Sequence, residues 1–149
     1  MKKVLDNIQC DRKYYYQLLM QNISKYVYRE KRYNIHFSII AICSKEDIEI
    51  DIEKLKNELR QTDTLVKINE ELTCIVLDNT SNDSYVKAAE NLTKTLQKLY
   101  FNKNFYISTA NSEEFDHNYL DMSNKLFERL EYAIKNTQCN TVVYQDYII

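Results

Sequence analysis

Apolar positions recur along the chain with two different periods, and the changes of period mark out its elements. Between residues 11 and 33, Tyr15, Leu19, Ile23, Tyr26 and Val27 fall three or four apart, which predicts a long helix with Asp11 as its N-cap. The run IHFSIIAIC at 35–43 is almost continuously apolar and rich in isoleucine, so it predicts a strand covered on both faces and central in a sheet. Residues 46–61 carry both patterns. DIEIDIE alternates with period two, while Ile48, Ile52, Leu55 and Leu59 suit a helix, and the helix formers in EKLKNELRQ favour helix. Strands at 64–68 and 72–77 follow, joined as a hairpin by Asn69-Glu70-Glu71, where Asn69 is expected at positive φ.

Ser81, Asn82 and Asp83 then open a helix to about residue 100, with Val86, Ala89, Leu92, Leu96 and Leu99 as its inward stripe. A strand is expected at 104–110, and a helix at 118–136 turns Leu126, Leu130, Ala133 and Ile134 inward. A last strand is expected at 141–146. The expected order is α-β-α-β-β-α-β-α-β: an α/β (α+β) domain with a five-stranded sheet and packed helices. A length of 149 residues suits one domain over 1–149, with residues 1–10 as a lead-in.

Composition changes this picture at one point. The chain has no glycine and no proline, against an average usage of about 7% and 5%. Gly-rich phosphate cradles and nucleophile elbows are therefore excluded, and asparagine has to supply the left-handed turn positions. Residues 1–33 carry eight Lys/Arg against three Asp/Glu, whereas the remainder is acidic. Such a basic, tyrosine-bearing helix reads as a solvated face complementing the acidic body, and nucleic acid is not expected as a partner. Tyr14, Tyr15 and Tyr16 cannot all face inward, because successive helical residues point about 100° apart. No apolar stretch is long enough to span a membrane, and MKKVLDNIQC is too polar for a signal peptide. Cys10, Cys43, Cys74 and Cys139 form no C-x-x-C pair and read as reduced, mostly buried thiols of a cytoplasmic protein rather than zinc ligands.

Three stretches in register resemble one family. Asp11-Arg12-Lys13-Tyr14-Tyr15, the helix, and Arg32 through Ser38-Ile39-Ile40-Ala41-Ile42-Cys43 resemble D-x-L-T-G-L-x-N-R-R-x-F, a helix, and R-x-R-x-x-x-x-F-S-L-L-L-I-D-I-D. Leu59-Arg60-Gln61-Thr62-Asp63, then Lys67-Ile68-Asn69-Glu70-Glu71-Leu72-Thr73, then Leu77-Asp78-Asn79-Thr80 resemble L-R-x-x-D-x-x-x-R-x-G-G-D-E-F-x-x-x-L-P-x-T. Tyr132, Lys135, Asn140 and Val142 fall where the family has A-L-Y-x-A-K-x-x-G-R-N-x-V. The chain is thus similar to the GGDEF domains, which cyclise two GTP into cyclic di-GMP. The resemblance implies a nucleotidyl-cyclase-like, ferredoxin-like palm with a mixed sheet.

The departures imply lost catalysis. In the family an Asp ending the first strand and the acid at the third signature position hold two Mg²⁺ ions, which clamp the triphosphate and activate the attacking hydroxyl. The first position is Cys43 here, and a neutral thiol is a poor ligand for Mg²⁺. Ungapped alignment sets Asn69, Glu70, Glu71, Leu72 and Thr73 over the signature and leaves Glu71 as an acid in place. A slip of one residue instead sets Glu70, Glu71 and Leu72 over its last three positions. Both alignments lack the paired glycines. The base-binding stretch F-K-x-I-N-D-x-x-G-H-x-x-G-D is missing, and Cys139 replaces a phosphate-contacting Arg, leaving Lys135 as a residual phosphate contact or a plain helix-end charge.

Arg60 and Asp63 match the family's R-x-x-D inhibitory site, which binds cyclic di-GMP; the alternative is an i,i+3 ion pair. Glu113, Glu114, Asp116, His117 and Asp121 read as a solvated acidic loop rather than a cation site, and His36 as a satisfied core or edge histidine. The family acts as dimers driven by an upstream sensor, and no sensor is expected within these residues. The expected function is a catalytically inactive GGDEF-like domain, without a cofactor, that binds a partner protein or itself. A cyclic di-GMP receptor centred on Arg60 and Asp63 is the alternative. A residual cyclase using Glu71 and Mg²⁺ is a third reading.

Overall fold

The structure is a computed structural model that describes residues 1–46 and 48–146. It contains α1 (Lys2–Cys10), α2 (Arg12–Tyr33), β1 (Ser38–Ser44), α3 (Ile52–Lys56), β2 (Thr64–Lys67), β3 (Leu72–Leu77) and α4 (Tyr85–Leu99). These are followed by β4 (Phe105–Asn111), a 3₁₀ turn (Ser112–Phe115), α5 (Tyr119–Lys135) and β5 (Val142–Val143). The sheet order is β2-β3-β1-β4-β5, with β4 and β5 parallel and every other pair antiparallel. This is the mixed five-stranded sheet with packed helices expected from the sequence.

Strand alternation divides the core into two layers. Ile39, Ala41 and Cys43 of β1 point to α1, α2 and α5, where they meet Leu19, Ile23, Leu126 and Leu130. Ile40 and Ile42 point to α3 and α4, where they meet Leu55, Ala89 and Leu96. Every residue of β1 is buried. Its apolar run is continuous because no face of the strand meets water. No helix among the described residues is long and apolar enough to cross a membrane.

Several local expectations change. The lead-in is helical: Val4 and Ile8, four apart, are buried against the α5 layer. Asp11 makes no side-chain cap to α2. It sits between two helices at φ −105 and ψ 16, and its backbone N–H caps α1 instead. The helix expected over 46–61 shrinks to Ile52–Lys56, and residue 47 of that stretch lies outside the described residues. The period-two reading describes the first half better. Lys45 N–H donates to Asn104 O at 2.9 Å, and the Glu46 carboxylate accepts from Asn104 N at 2.9 Å and Nδ2 at 3.2 Å. Glu49 pairs with Lys67 on β2, and Ile50 is buried. These tertiary contacts hold the segment open, so α3 starts only where the Asp51 carboxylate accepts from Glu53 and Lys54 N–H. The last strand is confined to Val142–Val143 of the expected 141–146.

Asparagine supplies most of the left-handed positions, as Asn34, Asn79, Asn102 and Asn140, together with Asp116, His117 and Thr137. Asn69 is not among them. Its Oδ1 accepts from Glu71 and Leu72 N–H, both at 2.9 Å, so a side-chain turn closes the hairpin without positive φ.

A buried carboxylate joins α2 to the sheet. The side chain of Glu30, 2% exposed, lies 2.8 Å from His36 Nδ1 and accepts from Ser112 Oγ and, at 2.7 Å, from Tyr119 OH. His117 Nδ1 is 3.5 Å away. Burial pushes this carboxyl up, but the hydrogen bonds from His36, Ser112 and Tyr119 outweigh it and hold the group below its ordinary value of 4.5. The stabilisation is therefore full above 4.5 and is lost as the pH falls through the folded value. Glu30→Gln is expected to cost about 2–4 kcal/mol in urea unfolding at pH 7, because it leaves buried donors without a charged acceptor. The gap between wild type and variant should narrow steadily on acidification below 4.5; a constant gap would show that the charge is not what Glu30 contributes.

Candidate functional site

Two groups of candidate residues lie at opposite ends of the central strand. The first is the signature hairpin. Cys43 pairs across the sheet with Leu72 of β3 and with Tyr106 of β4, and it is fully buried. Burial pushes its thiol up to about 12, and Glu71 nearby adds to the push. Its Sγ donates to Ser44 O at 3.5 Å and lies 4.0 Å from Met1 Sδ. Glu71, with a side chain 28% exposed, pairs with Lys3 Nζ of α1 at 3.3 Å. Glu70 is exposed, while Leu72 and Thr73 are buried in β3.

Asn69 Nδ2 donates to Tyr15 OH at 3.0 Å, which ties the hairpin to α2. An open groove of about 350 Å³ runs between α1 and the hairpin, lined by Lys3, Asn7, Asp11, Tyr14, Glu70 and Glu71. At the two positions where the resemblance places metal ligands stand a carboxylate already facing an ammonium, Glu71 with Lys3, and a neutral thiol, Cys43. They do not suit a pair of Mg²⁺ ions, which require several hard oxygen ligands in near-octahedral geometry. Lys135 does not line this groove. It pairs at 3.7 Å with Glu131, which also holds Arg12 at the α1–α2 junction.

The second group surrounds Arg60 and Asp63, in the turn leading into β2. Asp63 Oδ2 accepts from Arg60 N at 3.1 Å and Nε at 3.2 Å. Asp63 Oδ1 accepts from Arg60 Nη2 at 3.1 Å and from Asp78 N at 2.9 Å. Arg60 Nη2 also donates to Asp78 O at 2.5 Å. The sequence therefore names the i,i+3 pair, and the structure adds a third member at the end of β3. Asp78 is in turn gripped by Arg29 of α2, through Nη2–Oδ1 at 3.0 Å and Nη1–Oδ2 at 3.1 Å. Tyr26 OH donates to Thr62 O at 2.6 Å, and the Arg29 guanidinium lies 5.1 Å from the Tyr26 ring centroid.

Sequence reading passed over Asp78, Arg29, Lys25 and Lys56 as site residues. The one available signal was Asp78 itself, a charge directly after the apolar run LTCIVL. A groove of about 700 Å³ opens beside the pair, between α2, α3 and β2; Lys25, Glu53, Lys56, Arg60 and Asp63 are among its lining residues.

Other candidates disperse. Glu114 pairs with buried Arg129 at 3.2 Å and closes the cap of the 3₁₀ turn, while Glu113 accepts from Asn82 N at 3.0 Å. His36 is satisfied by Glu30. Among the described residues no cluster of three or more His, Cys, Asp or Glu could hold a metal ion. Of the tyrosine run, Tyr15 is buried and Tyr14 is 58% exposed. All four cysteines are free; Cys43 and Cys74 are buried, Cys139 is partly buried, and Cys10 is exposed rather than buried because it ends α1.

No family model matches the chain, and no curated protein matches it. Solved structures do. The GGDEF domain of YfiN (TpbB) from Pseudomonas aeruginosa is similar with a TM-score of 0.71 at 11% identity, over 87% of this chain and 94% of that one. The active GGEEF domain of a diguanylate cyclase from Vibrio cholerae gives 0.63 at 17% identity, over 83% and 92%. The GGDEF domain of DgcB from Caulobacter crescentus, in complex with c-di-GMP, gives 0.61 at 8% identity, over 86% of each chain. The chain has the fold of these domains.

The Arg60–Asp63–Asp78 cluster should behave as a structural knot whether or not a ligand uses it. Asp63→Ala leaves four backbone and guanidinium donors without their acceptor and is expected to cost about 2–4 kcal/mol. Arg60→Ala removes a guanidinium that is 55% exposed and leaves the two backbone donors on Asp63, so it should cost less, about 1–2 kcal/mol. Urea midpoints of the two variants test this, and equal losses would overturn the assignment of Asp63 as the anchor.

Proposed function

We propose that this chain is a signalling domain of the GGDEF fold that does not cyclise nucleotides and acts by binding a partner protein or a second copy of itself. The observation that carries this reading is Cys43. It stands where the resemblance places a metal-holding Asp, it is fully buried, and its thiol is held neutral up to about 12. Phosphoryl transfer depends almost entirely on positioning and on charge stabilisation by metal ions. With Lys3 facing Glu71, the hairpin supplies neither.

The glycine-free hairpin points the same way, because Asn69 and Glu70 carry side chains where the family leaves room for nucleotide. No cofactor is part of this reading, and Lys135 serves as a helix-end charge paired to Glu131. Its place is the cytoplasm, where free thiols persist.

A second reading, a receptor for cyclic di-GMP, is favoured by Arg60 and Asp63 at the edge of the 700 Å³ groove. DgcB, similar in fold, is solved with that ligand.

Two experiments separate these readings. Incubation with GTP and Mg²⁺, followed by chromatography, should yield no cyclic di-GMP; product that disappears in Glu71→Gln would overturn the non-catalytic reading. Titration calorimetry with cyclic di-GMP should show binding that weakens by about tenfold or more in Arg60→Ala if the receptor reading holds. Absence of heat with wild type removes that reading and leaves the interaction role.

A further inference from the structure

Helix α2 is charged in one sense only. Its 22 residues carry Arg12, Lys13, Lys25, Arg29, Lys31 and Arg32 against a single acid, Glu30, which is buried. Arg12 is paired with Glu131 and Arg29 with Asp78. Lys13, Lys25, Lys31 and Arg32 have no ion-pair partner among the described residues. A solvated helix face ordinarily balances acids against bases at i,i+4, and like charges at that spacing repel. Lys25 and Arg29 stand at it here. The helix dipole accounts for the cations of the last turn, but not for the missing acids along the rest.

The same outward face bears exposed aromatic rings. Tyr14, Gln17, Gln21, Ser24, Tyr28 and Arg32 follow one another at steps of three or four residues, opposite the buried stripe of Tyr15, Leu19, Ile23 and Tyr26, and all six are exposed. Tyr14 and Tyr28, 58% and 57% exposed, stand roughly 21 Å apart along the helix. At its C-terminal end Tyr28 meets Tyr33 edge-on, with ring centroids 6.4 Å apart. The Arg32 guanidinium lies 5.7 Å from the Tyr33 ring centroid, and its Nε donates to Tyr33 OH at 3.3 Å. Arg32 is thereby steadied with both terminal nitrogens free of partners among the described residues. Those two nitrogens form a fork that matches a carboxylate. Exposed Tyr and Arg side by side are the residue types that dominate the energy of protein interfaces.

We propose that the outward face of α2, from Tyr14 to Arg32, is the docking surface for an acidic segment of a partner protein, with Arg32 gripping a carboxylate and Tyr14 and Tyr28 packing as anchors. This rests on the interaction role proposed above, and names its surface and the chemistry of its partner. A second copy docking symmetrically would set one cationic stripe against another, and like charges across an interface repel. An anionic bilayer would find no apolar side chain to bury between the two tyrosines, where Gln17, Gln21 and Ser24 stand. A nucleic-acid duplex is wider than the stripe. It would bring phosphates over Glu113, Asp116 and Asp121, on the 3₁₀ turn and α5 that pack beside the C-terminal half of α2.

The test is fluorescence anisotropy of a labelled helical peptide, about twenty residues long and rich in glutamate with leucines at heptad spacing, titrated with the whole chain. Binding should weaken as salt rises, and should fall by about tenfold or more when glutamines replace the glutamates. The double variant Tyr28→Ala/Arg32→Gln, at two exposed positions, should keep the urea midpoint and weaken the acidic peptide by about tenfold or more. Gln21→Glu gives Lys25 an i,i+4 partner, so it should hold or raise the urea midpoint while weakening the peptide by about threefold or more. Peptide binding that these variants leave untouched overturns the location. Tighter binding of a DNA duplex of about twenty base pairs, or of anionic phospholipid vesicles, overturns the class of partner. No binding of the acidic peptide overturns the proposal. A dimer in sedimentation of the chain alone would then leave the wider interaction role standing through self-association, and turnover of GTP to cyclic di-GMP would remove that role as well.

Discussion

Strand β1 carries the constraint on which the rest of the molecule depends. It is paired on both edges and covered on both faces, so none of its residues reaches water. Its N–H and C=O groups can be satisfied only by β3 and β4, and the apolar side chains between its terminal serines only by apolar partners from two helical layers. Chemistry is therefore confined to its two ends. At the far end of β1, Cys43 obeys the interior rule: it packs between Leu72 and Tyr106 as a small hydrophobe, with its thiol protonated.

The other end of the sheet behaves differently, because three segments arrive there with polar groups that must be satisfied. The turn into β2, the exit of β3 and the last turns of α2 meet around Asp78. Arg29, Arg60 and Asp63 together satisfy its backbone and its carboxylate. The next residue of α2, Glu30, does the same for Ser112, Tyr119 and His36. Both clusters keep buried charge paired, which an interior of low dielectric demands. They also give α2 its fixed seat on the sheet, with one long helix latched at successive points to three loops.

Lack of glycine reshapes the turns without undoing the fold. Left-handed positions pass mainly to asparagine, whose short amide tolerates positive φ. At the signature hairpin the solution is another one, since the Asn69 side chain accepts the two N–H groups that the turn exposes. The same residue reaches Tyr15, so the turn is closed and anchored by one amide. A hairpin built this way carries bulk where a glycine pair would leave open space.

What the sequence alone determined is the part governed by local period and composition. The central strand, the hairpin, the long helices α2, α4 and α5, the absence of glycine-based phosphate loops, and the pairing of Arg60 with Asp63 at i,i+3 are all legible from neighbours a few residues apart. The extent of α3 was not, because Glu46 and Glu49 are held open by Asn104 and Lys67, far along the chain. The lead-in was not read as a helix, because Val4 and Ile8 alone mark its inward face and its contacts form only when α1 folds onto α5 and Lys3 meets Glu71 of the hairpin. Arg60 and Asp63 show the division best. Their spacing marks them as partners, yet which of their donors and acceptors remain free depends on Asp78, fifteen residues beyond Asp63 and brought there by the β2–β3 pairing. Hydrogen-bond capacity is spent across the fold, and only the tertiary structure records where it went.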